Sequence, residues 1–411
     1  MVEVRKKLNF FSDKILENII KVLFIGLIFF FPYSIALRET LIGLLFIFYV
    51  LNRLIKWKFS LQKTPIDTEL LIYFLFSVLS LLKVNDVLVG IEEVIVSVFK
   101  YIAFFYMSYD LINESNLDKY INILFYGSFS CIVIGKAIYY ITGTNYLEGN
   151  GDGTWATFSI LFLMSFMLDK TENIYKKIIA FIGGLGGIIV LFNTNSRGAA
   201  LAFFCAIIII AIVLLKSKIN SRRVFFMLTS VIIIIMIIIT PFILLDLLIN
   251  KFKNITDIDS HWSLKTRVLM WESSIYHIMK NPILGVGIGN YQSNYLNYID
   301  NVLNIEIPHA SRMHGHPHNL FLNIAVEQGL ISLALFLIMI YKSFKIGLLN
   351  FISSVVSNKK SYLGIVLCGI LVSLVIHSFV DTTFRYGHVG YFVMIMIVFN
   401  CKLMDSTKRS D

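Results

Sequence analysis

Between Arg197 and Lys216 the chain reads Gly198-Ala-Ala-Leu-Ala-Phe-Phe-Cys-Ala-Ile-Ile-Ile-Ile-Ala-Ile-Val-Leu-Leu-Lys216, an apolar run with no charge inside it. About 18–20 such residues are what an α-helix needs to cross the hydrocarbon core of a bilayer. Blocks of the same kind recur at approximately 18–36, 40–55, 68–83, 92–112, 120–141, 154–169, 177–193, 223–246, 319–342, 361–380 and 388–404. Composition agrees: 57% of the 411 residues are hydrophobic and 15% charged, with a mean hydropathy of +0.76. A soluble domain carries about 25% charged residues, so a soluble enzyme, a disordered chain and a nucleic-acid-binding module are excluded. The reading is an all-α polytopic membrane protein of about twelve transmembrane helices.

Charge placement gives the expected orientation. The net charge of +10 could suggest nucleic acid, but the basic residues sit between apolar blocks, where cytoplasmic loops of membrane proteins carry them. With the N-terminus inside, the inner loops hold Arg53, Lys56, Lys58 and Lys63; Lys119; Lys170, Lys176 and Lys177; Lys216, Lys218, Arg222 and Arg223; and Lys342, Lys345, Lys359 and Lys360. The short outer loops hold little beyond Arg38, Lys83, Arg197 and Arg385. Both termini are therefore expected in the cytoplasm, and the first apolar block is expected to stay in the mature protein, because no small-residue cleavage site follows it. The organisation divides into helices over 1–246, one large extracytoplasmic loop over 247–318, and further helices with a cytoplasmic tail over 319–411. Cys131, Cys205, Cys368 and Cys401 lie in or beside apolar blocks, which predicts neither a disulfide framework nor a cysteine metal site.

The large loop carries the chemistry. Leu264, Val268, Trp271, Ile275 and Ile278 recur at helical spacing, and Asn281-Pro282 ends the run, because the residue before proline is driven out of the α region. Arg267 and Trp271, four apart, share a face; Glu272 is a local partner that Arg267 could use instead. Gly285-Val-Gly287-Ile-Gly289-Asn290 lacks the flanking strand and helix of a dinucleotide site, and so predicts a tight turn packed closely on the membrane domain. The loop ends in Pro308-His309-Ala-Ser-Arg312-Met-His314-Gly-His316-Pro-His318-Asn319. Its histidines invite a metal, but alternate spacing in a Gly/Pro-rich stretch fixes no tetrahedral geometry, and no metal is expected. A histidine at the mouth of a membrane helix can act as a general base near neutral pH, or simply sit at the interface.

Arg197 lies between two spans without an acidic neighbour in sequence, whereas Arg38 has Glu39 beside it and Arg385 has Asp381 nearby. An arginine at that depth is costly unless it meets an anion. Arg197, Arg267 and His318 fall together on the outer face, where two guanidiniums suit a lipid-linked diphosphate, binding its oxygens in a fork. No nucleotide motif appears on that side.

These pieces resemble the O-antigen ligase family, which includes O-antigen polymerases and related oligosaccharyltransferases. The resemblance rests on Ser196-Arg197-Gly198, Arg267 with Trp271, Asn281-Pro-Ile-Leu-Gly285-Val-Gly287-Ile-Gly289-Asn290, and His318-Asn319 entering a helix with Glu327-x-Gly329. It implies a multi-spanning, C-type-like glycosyltransferase of the bacterial inner membrane, working at the periplasmic face without metal, nucleotide or other cofactor. The donor would be a glycan on undecaprenyl diphosphate. The acceptor would be a hydroxyl of lipid A–core, completing lipopolysaccharide, or a growing glycan if the protein is a polymerase. Carried onto this chain, the resemblance makes Arg197 and Arg267 the diphosphate ligands and His318 the base. His316 is the rival base, and Asn319, Trp271, Glu327 and Arg312 are supporting candidates. A lipid-linked glycan flippase is the alternative of another class, and a scaffold is the bland one.

Overall fold

The computed structural model describes residues 2–142, 149–169, 171–216, 259–357 and 362–408. Every regular element among them is helical. The helix expected over 223–246 and the first residues of the large loop lie outside the described residues. In chain order the helices are α1 (Val2–Phe30), α2 (Ile35–Ile55), α3 (Asp67–Leu79), α4 (Val87–Val94), α5 (Lys100–Leu111), α6 (Leu117–Thr142), α7 (Gly149–Leu168), α8 (Ile174–Asn193) and α9 (Arg197–Lys216). They continue as α10 (Asp259–Lys280), α11 (Tyr291–Asn297), α12 (His309–Arg312), α13 (Leu320–Ser357), α14 (Tyr362–Ser378) and α15 (Gly387–Lys408). Among the described residues seven stretches are long and apolar enough to cross a membrane: Ile35–Ile55, Leu117–Gly135, Gly149–Leu168, Ile174–Asn193, Arg197–Leu215, Leu320–Val355 and Gly387–Asp405. Tyr362–Ser378 is apolar but shorter.

Local chemistry sets several starts. The Ser34, Asp86 and Asn173 side chains accept from the open amides of α2, α4 and α8, as N-cap residues do. Two predicted blocks differ in form. The block at 92–112 begins at Val87 and passes through a π-turn at Ile95–Phe99 between α4 and α5. The block at 319–342 runs on to Ser357 and is broken at Gly329, whose φ of 87° and ψ of 169° are not helical.

Helices that are apolar all round form the interior, as burial on every side requires. In α14, Tyr362–Leu371 are buried without interruption, and most of α7 and α15 is buried with them. At the periphery, α2 turns Ile47 and Leu51 outward, and α8 turns out Ile178, Phe181, Ile182 and Ile189. α13 and α14 cross where Gly347 meets Gly364: a Cβ on either would fall 2.7 or 2.3 Å from the other's carbonyl oxygen. Close backbone approach over small residues is how helices associate where lipid removes the hydrophobic drive. Buried Asn350 adds a 2.6 Å hydrogen bond to the Asn400 carbonyl between α13 and α15.

One end of the bundle gathers α9, α13 and α15 at their starts and α14 at its finish. The Asn319 side chain donates to the Phe379 carbonyl at 3.1 Å, and Ser196 lies 3.4 Å from His377. At the opposite end, Arg53 of α2 pairs with Asp110 of α5, and Tyr109 donates to Asp405 of α15.

Candidate active site

The expected amphipathic helix is present as α10, and it ends at Lys280, before Asn281-Pro282. Its packed face overlaps the apolar stripe only in part. Met270 is 1% exposed and Thr266, Ser273, Ser274 and His277 are buried, whereas Val268 and Ile275 are about half exposed (50% and 51%). The small polar residues pack because α10 lies against α13 and α11, where Ser274 can return its hydroxyl to the Met270 carbonyl at 2.7 Å. Of the apolar stripe, Val268 and Ile275 are left outward, while Trp271 and Ile278 pack against the Met270 cluster.

The glycine string behaves as expected. Gly285, Gly287 and Gly289 all have positive φ, and a Cβ at Gly285 would lie 2.5 Å from the Val326 oxygen. The segment runs alongside the break in α13: the Val286 amide donates to Val326 O (2.8 Å), Gly287 to Glu327 O (3.1 Å), and Leu330 to Pro282 O (2.8 Å). Carbonyls and amides released by the break are thus satisfied by the loop, as buried backbone groups must be. At Gly329 any side chain would strike the Ile283 oxygen at 2.0 Å. Buried Glu327 closes this seam, accepting from the Gly289 amide at 3.1 Å and from Asn323 at 3.3 Å. That is why the Asn281–Asn290 run and Glu327-x-Gly329 belong together.

Above the seam the histidines converge. The Trp271 indole N–H donates to the Pro317 carbonyl at 3.0 Å, pinning the residue before His318. His318 has φ 49°, in the left-handed region, and Asn319 caps the start of α13 by accepting from Phe321 and Leu322 at 3.0 Å. Such a turn sends the imidazole back over the bundle, where its Nδ1 lies 3.3 Å from Asp381 Oδ1. Asp381 is fully buried, and its oxygens also accept the Thr382 amide (2.8 Å) and the Tyr386 hydroxyl (3.1 Å). Burial works against its ionisation, but the His318 hydrogen bond, the Thr382 amide and the neighbouring imidazoles outweigh it and hold the carboxyl at about 2. An ionised carboxylate only accepts, so Nδ1 of His318 carries the hydrogen and Nε2 keeps its lone pair. An imidazole oriented in this way can take a proton at Nε2, and its side chain is 24% exposed.

His316 stacks edge-on to His318 at 4.4 Å. Its Nδ1 accepts the His318 amide at 3.3 Å and meets the Thr382 hydroxyl at 3.2 Å. Burial, then the neighbouring His318 and the Arg385 charge, push it down to about 4. His314, 5.5 Å from His318, is lowered by burial and then by His318 and Arg267, which places the Arg267 charge beside the cluster. Among the described residues Arg267 forms no ion pair with Glu272 or any other acid.

The remaining candidates are distributed around this centre. Arg197 opens α9 and is exposed. Its neighbours tie it to the same end of the bundle: a Cβ at Gly198 would touch His377 and Val380, just ahead of Asp381. Arg312 pairs with Asp300 at 2.6 Å within the loop. Arg385 does not turn to Asp381 as its spacing suggests; it pairs with Glu93. Sequence reasoning missed Asp381 as a partner of His318, because that carboxylate follows a span of its own 63 residues away. The available signal was an acid, an arginine, a tyrosine and a histidine crowded into Asp381–His388 directly after an apolar helix.

Residues 180–337 match the family model described as O-antigen ligase. Over this segment the chain is similar to the O-antigen ligase family. No curated protein matches the chain. The family segment runs from α8 through the break in α13 and contains Arg197, Arg267, the histidine stretch and Glu327. Asp381 and Tyr386 reach the ligase-family segment from beyond it.

His316, His318 and Asp381 each offer a ligand atom, all within 4.8 Å of one another, a spacing that could hold a metal ion. Their donors are already turned to protein: both Asp381 oxygens accept hydrogen bonds, and His316 Nδ1 faces Thr382 and the His318 amide.

Proposed function

We propose that this membrane protein is an O-antigen ligase-type glycosyltransferase that moves a glycan from undecaprenyl diphosphate to a hydroxyl of lipid A–core at the periplasmic face of the inner membrane. The observation that carries the reading is His318 held by Asp381 at the edge of the family segment, with the Arg267 charge beside the cluster. In the step we propose, His318 Nε2 takes the proton of the acceptor hydroxyl as its oxygen attacks the anomeric carbon. The bond from that carbon to the diphosphate breaks, undecaprenyl diphosphate leaves with the electron pair, and the anomeric configuration inverts. Arg197 and Arg267 neutralise the departing charge, a role for which the planar, permanently charged guanidinium is suited.

In this reading Asp381 orients the base and stabilises the imidazolium, Trp271 and Asn319 fix the turn that presents it, and Glu327 holds the glycine seam beneath. The proposed reaction uses no metal and no nucleotide, since the donor arrives activated; the protein hydrogen bonds to Asp381 and to Nδ1 of His316 support it. Both termini lie in the cytoplasm.

The test is a surface-glycolipid gel from a host lacking this protein, complemented with wild type or His318→Ala. Bare lipid A–core with glycan accumulating on its lipid carrier is the expected phenotype of the deletion and of the variant. Core capped by a single repeat would make the protein a polymerase. An unchanged ladder, or full rescue by a well-expressed His318→Ala protein, would overturn the proposal.

A further inference from the structure

Beside the base, and separate from it, lies a cavity of ≈ 390 Å³ between the starts of α2, α7 and α15. Its walls carry Tyr33, Arg38, Asn150, Asp152, Tyr386 and His388. The cavity touches both halves of the proposed chemistry. On one side, Tyr386 separates it from the base: its hydroxyl donates to Asp381 at 3.1 Å, and its ring lies on Gly151, where a Cβ would fall 2.6 Å away. On the other side, Asn150 Oδ1 accepts from Ser196 at 2.7 Å, the residue before Arg197.

The donor set narrows the occupant. Arg38 is 4% exposed, directs Nε to Glu39 (3.1 Å) and Nη1 to the Phe31 carbonyl (3.1 Å), and lays Nη2 against Gly387. Its guanidinium is therefore fixed in place. His388 is 14% exposed in its side chain, with Nε2 3.5 Å from Asp152 Oδ1 and making no hydrogen bond. A buried polar atom without a hydrogen bond is costly, and a ligand hydroxyl removes that cost. A diphosphate would meet the Asp152 carboxylate and be repelled, and a lipid tail would offer the polar lining nothing to bond. A sugar ring fits. Its hydroxyls both donate and accept, matching a lining that carries a carboxylate, an amide, an imidazole and a guanidinium, and its C–H face can lie on the rings of Tyr33 or Tyr386.

We propose that this cavity binds a sugar ring of the acceptor glycan and holds it so that the reacting hydroxyl lies across Tyr386 at His318. The assignment to the acceptor rests on the proposed function: it is the acceptor whose proton the base removes, and Tyr386 and Asp381 link the cavity to that base. A ring of the donor glycan shares the same chemistry, and kinetics separates the two.

The experiment uses the full-length protein in lipid nanodiscs, with Asp152→Asn and the milder His388→Gln. Acceptor glycolipid and lipid-diphosphate donor are each titrated at saturation of the other. The expected result is a rise of about tenfold in the KM for acceptor in Asp152→Asn, with kcat and the donor KM held within about twofold. In parallel, the oligosaccharide released from the acceptor glycolipid by mild acid is tested for binding by saturation-transfer NMR, which needs no turnover. Wild type and His318→Ala should bind it equally, and Asp152→Asn about tenfold more weakly. Binding without any transfer by wild type would sink the proposed reaction and leave the cavity assignment standing. The assignment itself is overturned by a wild-type protein that does not bind the oligosaccharide or by an unchanged acceptor KM in both variants. A rise in donor KM instead, or a fall in kcat alone, overturns it equally.

Discussion

The two ends of the bundle handle charge differently. At the end away from the histidines, cations and polar groups are matched to partners: Arg53 meets Asp110 at 2.8 Å, Lys342 meets Glu69 at 2.7 Å, Tyr109 donates to Asp405 at 2.8 Å, and Lys402 donates to Gln62 at 3.0 Å. At the other end three imidazoles crowd one buried carboxylate, and Arg267 stands beside them without an acidic partner among the described residues. Matched pairs fasten helix to helix. A guanidinium near a membrane without an acidic partner is costly unless something anionic completes it, and the lipid-linked diphosphate of the proposed donor is such a group. If that contrast is sound, equivalent substitutions at the two ends should fail in different measurements.

His318→Ala carries the largest expected effect. Loss of a positioned general base lowers turnover by roughly 10²–10⁴-fold, and membrane insertion and melting temperature should stay near wild type, because the ring is partly exposed and makes one side-chain hydrogen bond. Asp381→Asn comes next, at about 10²-fold in kcat, since an amide can accept or donate and no longer dictates which nitrogen of His318 holds the hydrogen. Because Asp381 acts through His318, the double variant should be no worse than His318→Ala alone. A fully additive double variant would detach the carboxylate from the base. Third is a paired comparison, Arg267→Lys against Arg53→Lys. Both keep the charge and lose the fork, so the first should raise the donor KM about tenfold with melting unchanged. The second should lower the melting temperature by a few degrees, consistent with about 1 kcal/mol, and leave transfer per folded molecule alone. Equal kinetic losses at both positions would erase the distinction between the two ends.

Much of the fold was legible because a bilayer imposes a single length and polarity on whatever crosses it. The boundaries expected for residues 198–216 and 177–193 fall within three residues of α9 and α8. The glycine string was legible for a different reason, since alternate glycines announce a backbone that must come close to another. What sequence could not supply was pairing across distance. Asp381 looked like the partner of Arg385, four residues on, but the 3-10 turn at Thr383–Arg385 sends that arginine toward Glu93 and leaves Asp381 to His318. On α10 the apolar spacing identified the helix without saying which residues of the stripe protein covers: Trp271 and Ile278 pack. Val268 and Ile275 stay outward, and Ser273 and Ser274 go in.

The smallest expected effect lies at His316, and it tests the histidine end against acid. Folding places this imidazole where burial, His318 and Arg385 all oppose its protonation, moving it from an ordinary 6.5 to about 4. A histidine lowered on folding is neutral in the folded protein while the unfolded chain already binds a proton, so the unfolded state gains on the folded one as pH falls between those values. The associated stability is fully present above about pH 6.5 and is lost progressively down to about pH 4. His316→Gln cannot titrate, so it should lose less stability than wild type across that window. The difference should be about 1–2 kcal/mol after discounting for partial exposure. Melting curves of both proteins in nanodiscs at pH 7 and pH 4.5 read the difference directly. The far-end cluster holds no imidazole among its described residues, so parallel losses in wild type and variant would trace the acid sensitivity to carboxylates elsewhere and remove His316 from the histidine cluster's electrostatics.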